Sequence, residues 1–384
     1  MQTLKLDSAQ TAAFITVLER DLSDPRDPRG KRHDLTFIVC AVAIAIMAGR
    51  ATVSGIFRFI RNRIDWLAQV TGFLDAKPIS RAHLPRILAR IDWGTLNPLI
   101  EEHFGIRIEL NAAQEWTAID GKTLRGTTSA QDKHGQRTLL AVTHTCKTIL
   151  AQKPLPSKKS AEVTQTQILL QESGLEKMKV TLDALHLNPH TTQQIHQAGG
   201  CYIIQAKGNQ SILQRQLQQA EATQIPIGTN STVDNAHGRL EVRRGRCFDV
   251  SDLKYAKRWS DSGFATLIVM ERETTRKQKT TREISYYLSN QKLPETQPSQ
   301  GQELFNAIRG HWQVESDNWV RDVTFQEDSV RTKSGNQAQV MAGLRTLAMR
   351  LFRKGKLPNM RAALDDFCDS HELFEKFLAR VGFL

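Results

Sequence analysis

The 384 residues read as an α/β protein, and three observations predict it. Up to about residue 110, apolar residues recur at helical spacing, which marks a helical N-terminal region. From residue 115 the pattern changes to short β-prone runs, and through residue 220 the elements fall in the order β-β-β-α-β-α-β-α. Three meandering strands followed by right-handed crossovers build a five-stranded mixed sheet with helices on both faces. A second β-prone stretch, about 222–300, then reads as an insertion before helices resume.

In the N-terminal region, Ser8 is placed to cap a helix carrying Ala13, Phe14, Val17 and Leu18. The stretch "DPRDPRGKRHD" (24–34) is a proline-broken basic loop. The most apolar run, Phe37 to Ala48, is about a dozen residues and too short to span a bilayer, so a buried helix is predicted over 35–49. Ile56, Phe57, Ile60, Ile64 and Leu67 mark another helix. "SRAHLPRILARID" (80–92) reads as a short helical pair with Arg81, Arg86 and Arg90 near one side. That pattern fits a DNA-binding module and a helical cap on the next domain alike.

The first strand of the sheet, 116–120 in "EWTAIDGKTLRG", runs into Asp120 and a Gly-Lys turn. "RTLLAVTH" (137–144) and "TILAQKPL" (148–155) are the next two strands, followed by a helix over 160–173. "KVTLDA" (179–184) is a strand, 189–199 a helix closed by Gly199, 201–207 a strand and 211–220 a helix. This is the order of the ribonuclease H-like fold. In the insertion "GRLEVRRGRCFDV", "FATLIVMERE" and "EISYYLSN" are β-like. Near the C-terminus Val340, Leu344, Leu347 and Leu351 form a buried stripe, leaving Arg345, Arg350 and Arg353 solvated or DNA-facing. The chain therefore divides into a helical region, 1–110, and an α/β domain, 111–384, that carries the insertion.

Lys and Arg number 52 against 40 Asp and Glu, a net charge of +12. A surplus of that size suits a polyanionic partner, or is a merely basic surface. The five cysteines (Cys40, Cys146, Cys201, Cys247, Cys368) are scattered without a C-x-x-C pair, which argues against a zinc knuckle or a disulfide scaffold and fits a reducing cytoplasm. There is no basic-then-apolar N-terminal signal and no G-x-x-x-x-G-K-[ST] loop, against export and ATP-driven chemistry.

Three acids stand out. Asp-Gly at 120–121 either makes an ordinary turn or aims a carboxylate from the sheet's edge at a cation. Asp183 ends the fourth strand, which neighbours the first in this order, so the two carboxylates would lie side by side. Such a pair shares a proton or a cation, and hard divalent ions such as Mg²⁺ prefer oxygen ligands. Leu304, Ile308, Trp312, Glu315 and Trp319 step by 4, 4, 3 and 4, so one helical face carries Glu315 between two tryptophans read as core. A carboxylate buried there binds metal or pairs with an Arg.

On these residues the sequence resembles the DDE transposases of bacterial insertion sequences, in particular the H-repeat-associated group. The similarity runs from about residue 20 to about 355, through "AIDGKTLRG" (118–126), "KKSAEV" (158–163), "TLDALH" (181–186), "AKGNQ" (206–210), "HGRLEVRR" (237–244), "IRGHWQVES" and "DVTFQED". The resemblance implies that Asp120, Asp183 and Glu315 are the catalytic acids and metal ligands. The 132 residues between Asp183 and Glu315 leave room for the insertion. It implies two Mg²⁺ ions, with Mn²⁺ as a substitute, and cleavage of element ends followed by joining of the 3′ ends to target DNA. Double-stranded DNA, a homodimer on paired ends, and a cytoplasmic, nucleoid-associated location follow from it as well. Ser316 and Asn318 stand where close relatives carry Asn and His.

Phosphate contacts are expected from Lys122 and Arg125 beyond the first acid, unless they are a solvated turn, and from Lys207 and Asn209 after the fifth strand. His237, Arg239, Arg243 and Arg244 suit bidentate phosphate contacts or an exposed basic hairpin, and His311 either meets the scissile phosphate or packs. Two further readings share the pattern. One is a ribonuclease H-like nuclease without strand transfer, and the other is an inactive or repurposed DNA-binding protein derived from a transposase.

Overall fold

The computed structural model describes residues 13–384 apart from 105–114, 129–134, 156–160, 237, 278, 294–297, 330 and 333–334. The expected cap Ser8 lies outside these residues. Six helices come first: α1 (Phe14–Asp21), α2 (Leu35–Met47), α3 (Val53–Asn62), α4 (Ile64–Thr71), α5 (His83–Leu88) and α6 (Trp93–Phe104). Asp34 starts α2 by accepting the Phe37 N–H at 3.0 Å, and every residue of this helix is buried. A helix apolar all round must lie inside, and α2 does. Between Ser80 and Asp92 only α5 forms; the expected helical pair is one short helix and a turn.

The sheet follows as β1 (Trp116–Thr123), β2 (Arg137–Thr143), β3 (Ile149–Leu155), α7 (Ala161–Glu172), β4 (Lys179–Leu182), α8 (Pro189–Gln197), β5 (Cys201–Ala206) and α9 (Ser211–Thr223). Four longer strands come next: β6 (Gly228–Ala236), β7 (Arg239–Asp249), β8 (Thr266–Arg276) and β9 (Lys279–Ser289). The chain ends in α10 (Pro298–Gly310), α11 (Trp312–Val323), α12 (Gln337–Lys354), α13 (Met360–Asp369) and α14 (His371–Arg380).

Spatially the strands run β3-β2-β1-β4-β5-β9-β8-β7-β6. β1, β2 and β3 pair antiparallel, whereas β1, β4 and β5 pair parallel. The insertion does not stand apart as expected. β9 pairs antiparallel with β5 from Ile203↔Ser289 to Ala206↔Tyr286, so one sheet has nine strands rather than five. An uncovered β5 would present unpaired N–H and C=O groups, and β9 satisfies them.

Side chains alternate across the sheet with period two. Ala118, Leu140 and Val142 join a core with α2, α6, α12 and the C-terminal helices. Ile119, Leu139 and Ala141 face the other way, into a core with α7, α8 and α9. The N-terminal and C-terminal helices thus share one apolar interior on one face of the sheet. Gln337 to Phe352 of α12 are all buried within it, including Arg345 and Arg350, which were expected at the surface. Arg353 pairs with Asp317 at 2.6 Å. The apolar stripe was right, but neighbours cover the whole circumference of α12.

Candidate functional site

Parallel pairing aligns Ala118 with Thr181, so Asp120 and Asp183, each two residues further on, come level. Asp120 does not end its strand as expected. β1 continues along β2 to Thr123↔Arg137, and only its β4 flank stops. Asp183 follows the last residue of β4 and caps a 3-10 turn, its Oδ1 accepting the Leu185 N–H at 3.0 Å. Asn209, expected at a phosphate, instead donates its amide to the Ala184 carbonyl at 2.7 Å and fastens that turn to the loop after β5.

Glu315 lies on α11, which packs against β1 and β2. The continuous helical face expected through 304–319 is interrupted at His311, between α10 and α11. Leu304 and Ile308 are buried, but Trp312 and Trp319 are 58% and 61% exposed, and Glu315 itself is exposed. The tryptophans are therefore not core, and burial is no argument for Glu315. The cause is local. A Cβ at Gly310 would overlap the His144 ring, so the helix can approach β2 only with glycine there. His311 then turns inward, with Nδ1 2.9 Å from Thr181 Oγ1, while His144 Nε2 lies 3.1 Å from the same oxygen. Burial pushes both imidazoles down to about 4, and Thr181 is the partner that the structure gives His311.

Electrostatics tie the three acids together. Burial pushes the Asp120 carboxyl up to about 7; the Gly121 N–H opposes this, while Asp183, Glu162 and Glu315 push the same way. His186 Nε2 stands 3.7 Å from Asp183 Oδ1, but burial holds that imidazole at about 4, so at neutral pH it supplies no charge. Glu162 was not singled out from sequence. It sits at the start of α7, paired with Arg137, and a Cβ at Gly121 would overlap its carboxylate. The only signal for it was its place in "KKSAEV".

Lys122 is neither solvated nor free, because acids surround it. It is 8% exposed, and its ammonium lies 2.6 Å from Asp322, 3.0 Å from Glu327 and 3.2 Å from Asp328. Arg125 is exposed, 3.5 Å from Asp328, and Lys207 is exposed after β5. Across the insertion Arg239 and Arg243 pair with Glu241, and Arg244 pairs with Glu271 and Glu273. His237 lies outside the described residues.

Residues 112–351 match the model of the family described as "Transposase DDE domain", and residues 17–104 match the one described as "DDE_Tnp_1-associated". The chain belongs to the DDE transposase family. Among its relatives is the "Putative transposase YncI" of Escherichia coli O157:H7, 26% identical over 87% of this chain and 86% of the relative. The "H repeat-associated putative transposase YhhI" of Escherichia coli K12 is 24% identical over 90% and 93%. As in other DDE transposases, a DNA substrate and divalent-metal chemistry are implied by membership. No helix among the described residues is long and apolar enough to cross a membrane.

In kind, Asp120, Asp183 and Glu315 are the all-oxygen donors a hard cation takes, and burial, reinforced by the neighbouring acids, lifts Asp120. Among the described residues no three His, Cys, Asp or Glu side chains stand close enough to enclose an ion as they are. The donor set fits the ion, and its spacing is open.

Proposed function

We propose that this transposase cleaves the ends of its element and joins the 3′ ends to target DNA, with Asp120, Asp183 and Glu315 as its catalytic acids. The observation that carries the reading is the β1–β4 register, which brings Asp120 level with Asp183, with α11, the helix of Glu315, packed on β1. The order β3-β2-β1-β4-β5 within the larger sheet supports a ribonuclease H-like core over 111–384, preceded by the helical region 1–110.

These three carboxylates would hold Mg²⁺, or Mn²⁺ in its place. When bound, two ions supply Lewis-acid activation of the attacking hydroxyl and charge stabilisation at the leaving oxygen. The chain's own part is electrostatic and positional. Burial and the neighbouring acids raise the Asp120 carboxyl to about 7, and as a metal ligand it would be ionised. Asp183 and Glu315 face solvent, where a DNA backbone can reach them. Asn209 holds the turn behind Asp183, and the exposed Lys207 and Arg125 flank the site as phosphate contacts. A homodimer on paired ends completes the proposal.

The test uses DNA carrying the gene's own flanking sequences. Nicks are mapped with Mg²⁺ or EDTA, for the parent and for Glu315→Gln. Metal-dependent cuts at the element boundary, joined to new DNA and lost in Glu315→Gln, are expected. Cuts without joining would leave a nuclease, and binding without cuts a DNA-binding protein.

A further inference from the structure

Helix α11 carries Glu315 yet has almost no apolar grip on the molecule. Of its residues only Val314, Asp317 and Arg321 are buried. Apolar packing at Val314, with the half-buried Val320 against the same core, does not by itself fix the rotation or height of a helix, because it is non-directional. Directional hydrogen bonds do, and charge-assisted ones most strongly.

Ties of this kind run along α11, and its Asp322 meets the Lys122 ammonium of β1 directly at 2.6 Å. At its C-terminal end the Arg321 side chain is fully enclosed and lies 3.0 Å from Glu327 Oε2. Glu327 also takes Lys122 at 3.0 Å, with Arg345 at 3.8 Å. Lys122 sits two residues beyond Asp120, so on the same face of β1. In mid-helix, Asp317 receives a two-pronged Arg353 guanidinium at 2.6 and 2.8 Å, which ties it to α12. At the N-terminal end His311 meets Thr181 of β4, two residues before Asp183. Burial works against charge on Lys122 and Glu327, yet their partners outweigh it, holding Lys122 above and Glu327 below their ordinary ranges. Apolar side chains of similar volume would fill such a space at least as stably, so a buried ion cluster is a poor way to gain stability alone.

We propose that the Lys122–Glu327–Arg321 bridge and the Thr181–His311 contact are positioning devices for Glu315. They set α11 against the two strands that carry Asp120 and Asp183. The inference rests on the transposase reading above. It assigns a role to "DVTFQED", the segment holding Asp322, Glu327 and Asp328, which the proposed chemistry leaves unused.

The test compares Arg321→Met and Thr181→Val with the parent, Arg321→Lys and Glu315→Gln. Thermal melts check folding, and Mn²⁺ affinity is measured by titration without DNA. DNA affinity in EDTA and the kcat and KM of nicking complete the set. Loss of groups that orient a metal ligand weakens metal binding by roughly 10- to 100-fold. That loss is expected in folded Arg321→Met and Thr181→Val, with lowered kcat, unchanged DNA affinity and KM, and partial recovery in Arg321→Lys. If Arg321→Met fails to fold, Thr181→Val decides, since it exchanges one hydroxyl for a methyl. Parental Mn²⁺ affinity and kcat in a folded tie variant, beside a loss in Glu315→Gln, overturn the inference alone. Parental Mn²⁺ affinity in Glu315→Gln overturns the reading of the site and the inference with it.

Discussion

Replacing Asp120 with Asn isolates the electrostatic cost on which the reading of the site depends. Burial, reinforced by Asp183, Glu162 and Glu315, raises this carboxyl from 3.8 to about 7. A folded pKa above the unfolded one means that the native state binds the proton more tightly. The stabilisation is complete below about pH 4 and is lost as pH rises through about 7. At about 1.4 kcal/mol per pKa unit, the ceiling is ~4 kcal/mol. Asn keeps the shape and never ionises. In urea titrations with EDTA, parent and Asp120→Asn should come together only toward pH 4 and below; at pH 5, about 1.2 units above the unfolded pKa, the variant should already be more stable by about 1.6 kcal/mol. At pH 8 the gap should widen to about 4 kcal/mol, which at a slope of about 3 kcal/mol per M moves the midpoint by ~1 M. His144, His186 and His311 act in an overlapping window with the opposite sign. Burial lowers each to about 4, so their contribution is present above 6.5 and lost as pH falls through about 4. They are common to both proteins and cancel in the difference. Mg²⁺ at pH 8 should narrow the gap by stabilising the parent selectively. Coincident midpoints at pH 5 and pH 8 would refute the argument, because Asp120 would then ionise as freely as an isolated carboxyl.

Two further substitutions probe the surroundings. Gly121→Ala pushes a methyl into Glu162, itself clamped by Arg137, and should destabilise the fold by about 1–3 kcal/mol in thermal melts; an unchanged melting temperature would mean that Glu162 has room to withdraw. Lys207→Ala should weaken DNA binding uniformly across sequences and reduce the salt slope by about one, whereas Lys122→Ala should destabilise the fold and leave the salt slope alone. A lowered salt slope in Lys122→Ala would show that the buried ion cluster opens to DNA.

The parts of this structure legible in the sequence are those set by local pattern. Strands β2, β3 and β5 and helices α7 and α8 fall within a few residues of their expected places, because a period of two or 3.6 is written in the residues themselves. Level placement of Asp120 and Asp183 was also legible, since a β-α-β crossover makes β1 and β4 neighbours. Pairing of β9 onto β5 was not, because an edge strand does not announce its partner. Glu315 shows a subtler failure. Its spacing from Leu304 and Ile308 is helical, but periodicity is counted from a continuous axis, and the chain resets that axis at Gly310 and His311. One glycine, needed for close approach to His144, turns two tryptophans outward. Charges mislead in the same way. Lys122, Arg321, Arg345 and Arg350 look like surface residues in one dimension and are buried in three.

That inward use of charge bears on where the DNA backbone meets the protein. Ion pairs along β7 and β8 join Arg239, Arg243 and Arg244 to acids of the same hairpins, so the density of arginine there overstates the positive charge it offers. Each pair removes one charge of either sign and leaves the surplus of +12 untouched, which moves the surplus to other surfaces. The N-terminal helices and the basic loop before them expose Arg29, Arg32, Arg58, Arg61, Arg81, Arg86 and Arg90. Those helices share a core with the sheet face on which α11 packs, so their orientation to the site is set by packing rather than by a linker. A rigid basic surface fixed relative to three acids can select which phosphate they face. Under the proposed function, that surface is where the DNA backbone would lie when a phosphate faces Asp120, Asp183 and Glu315.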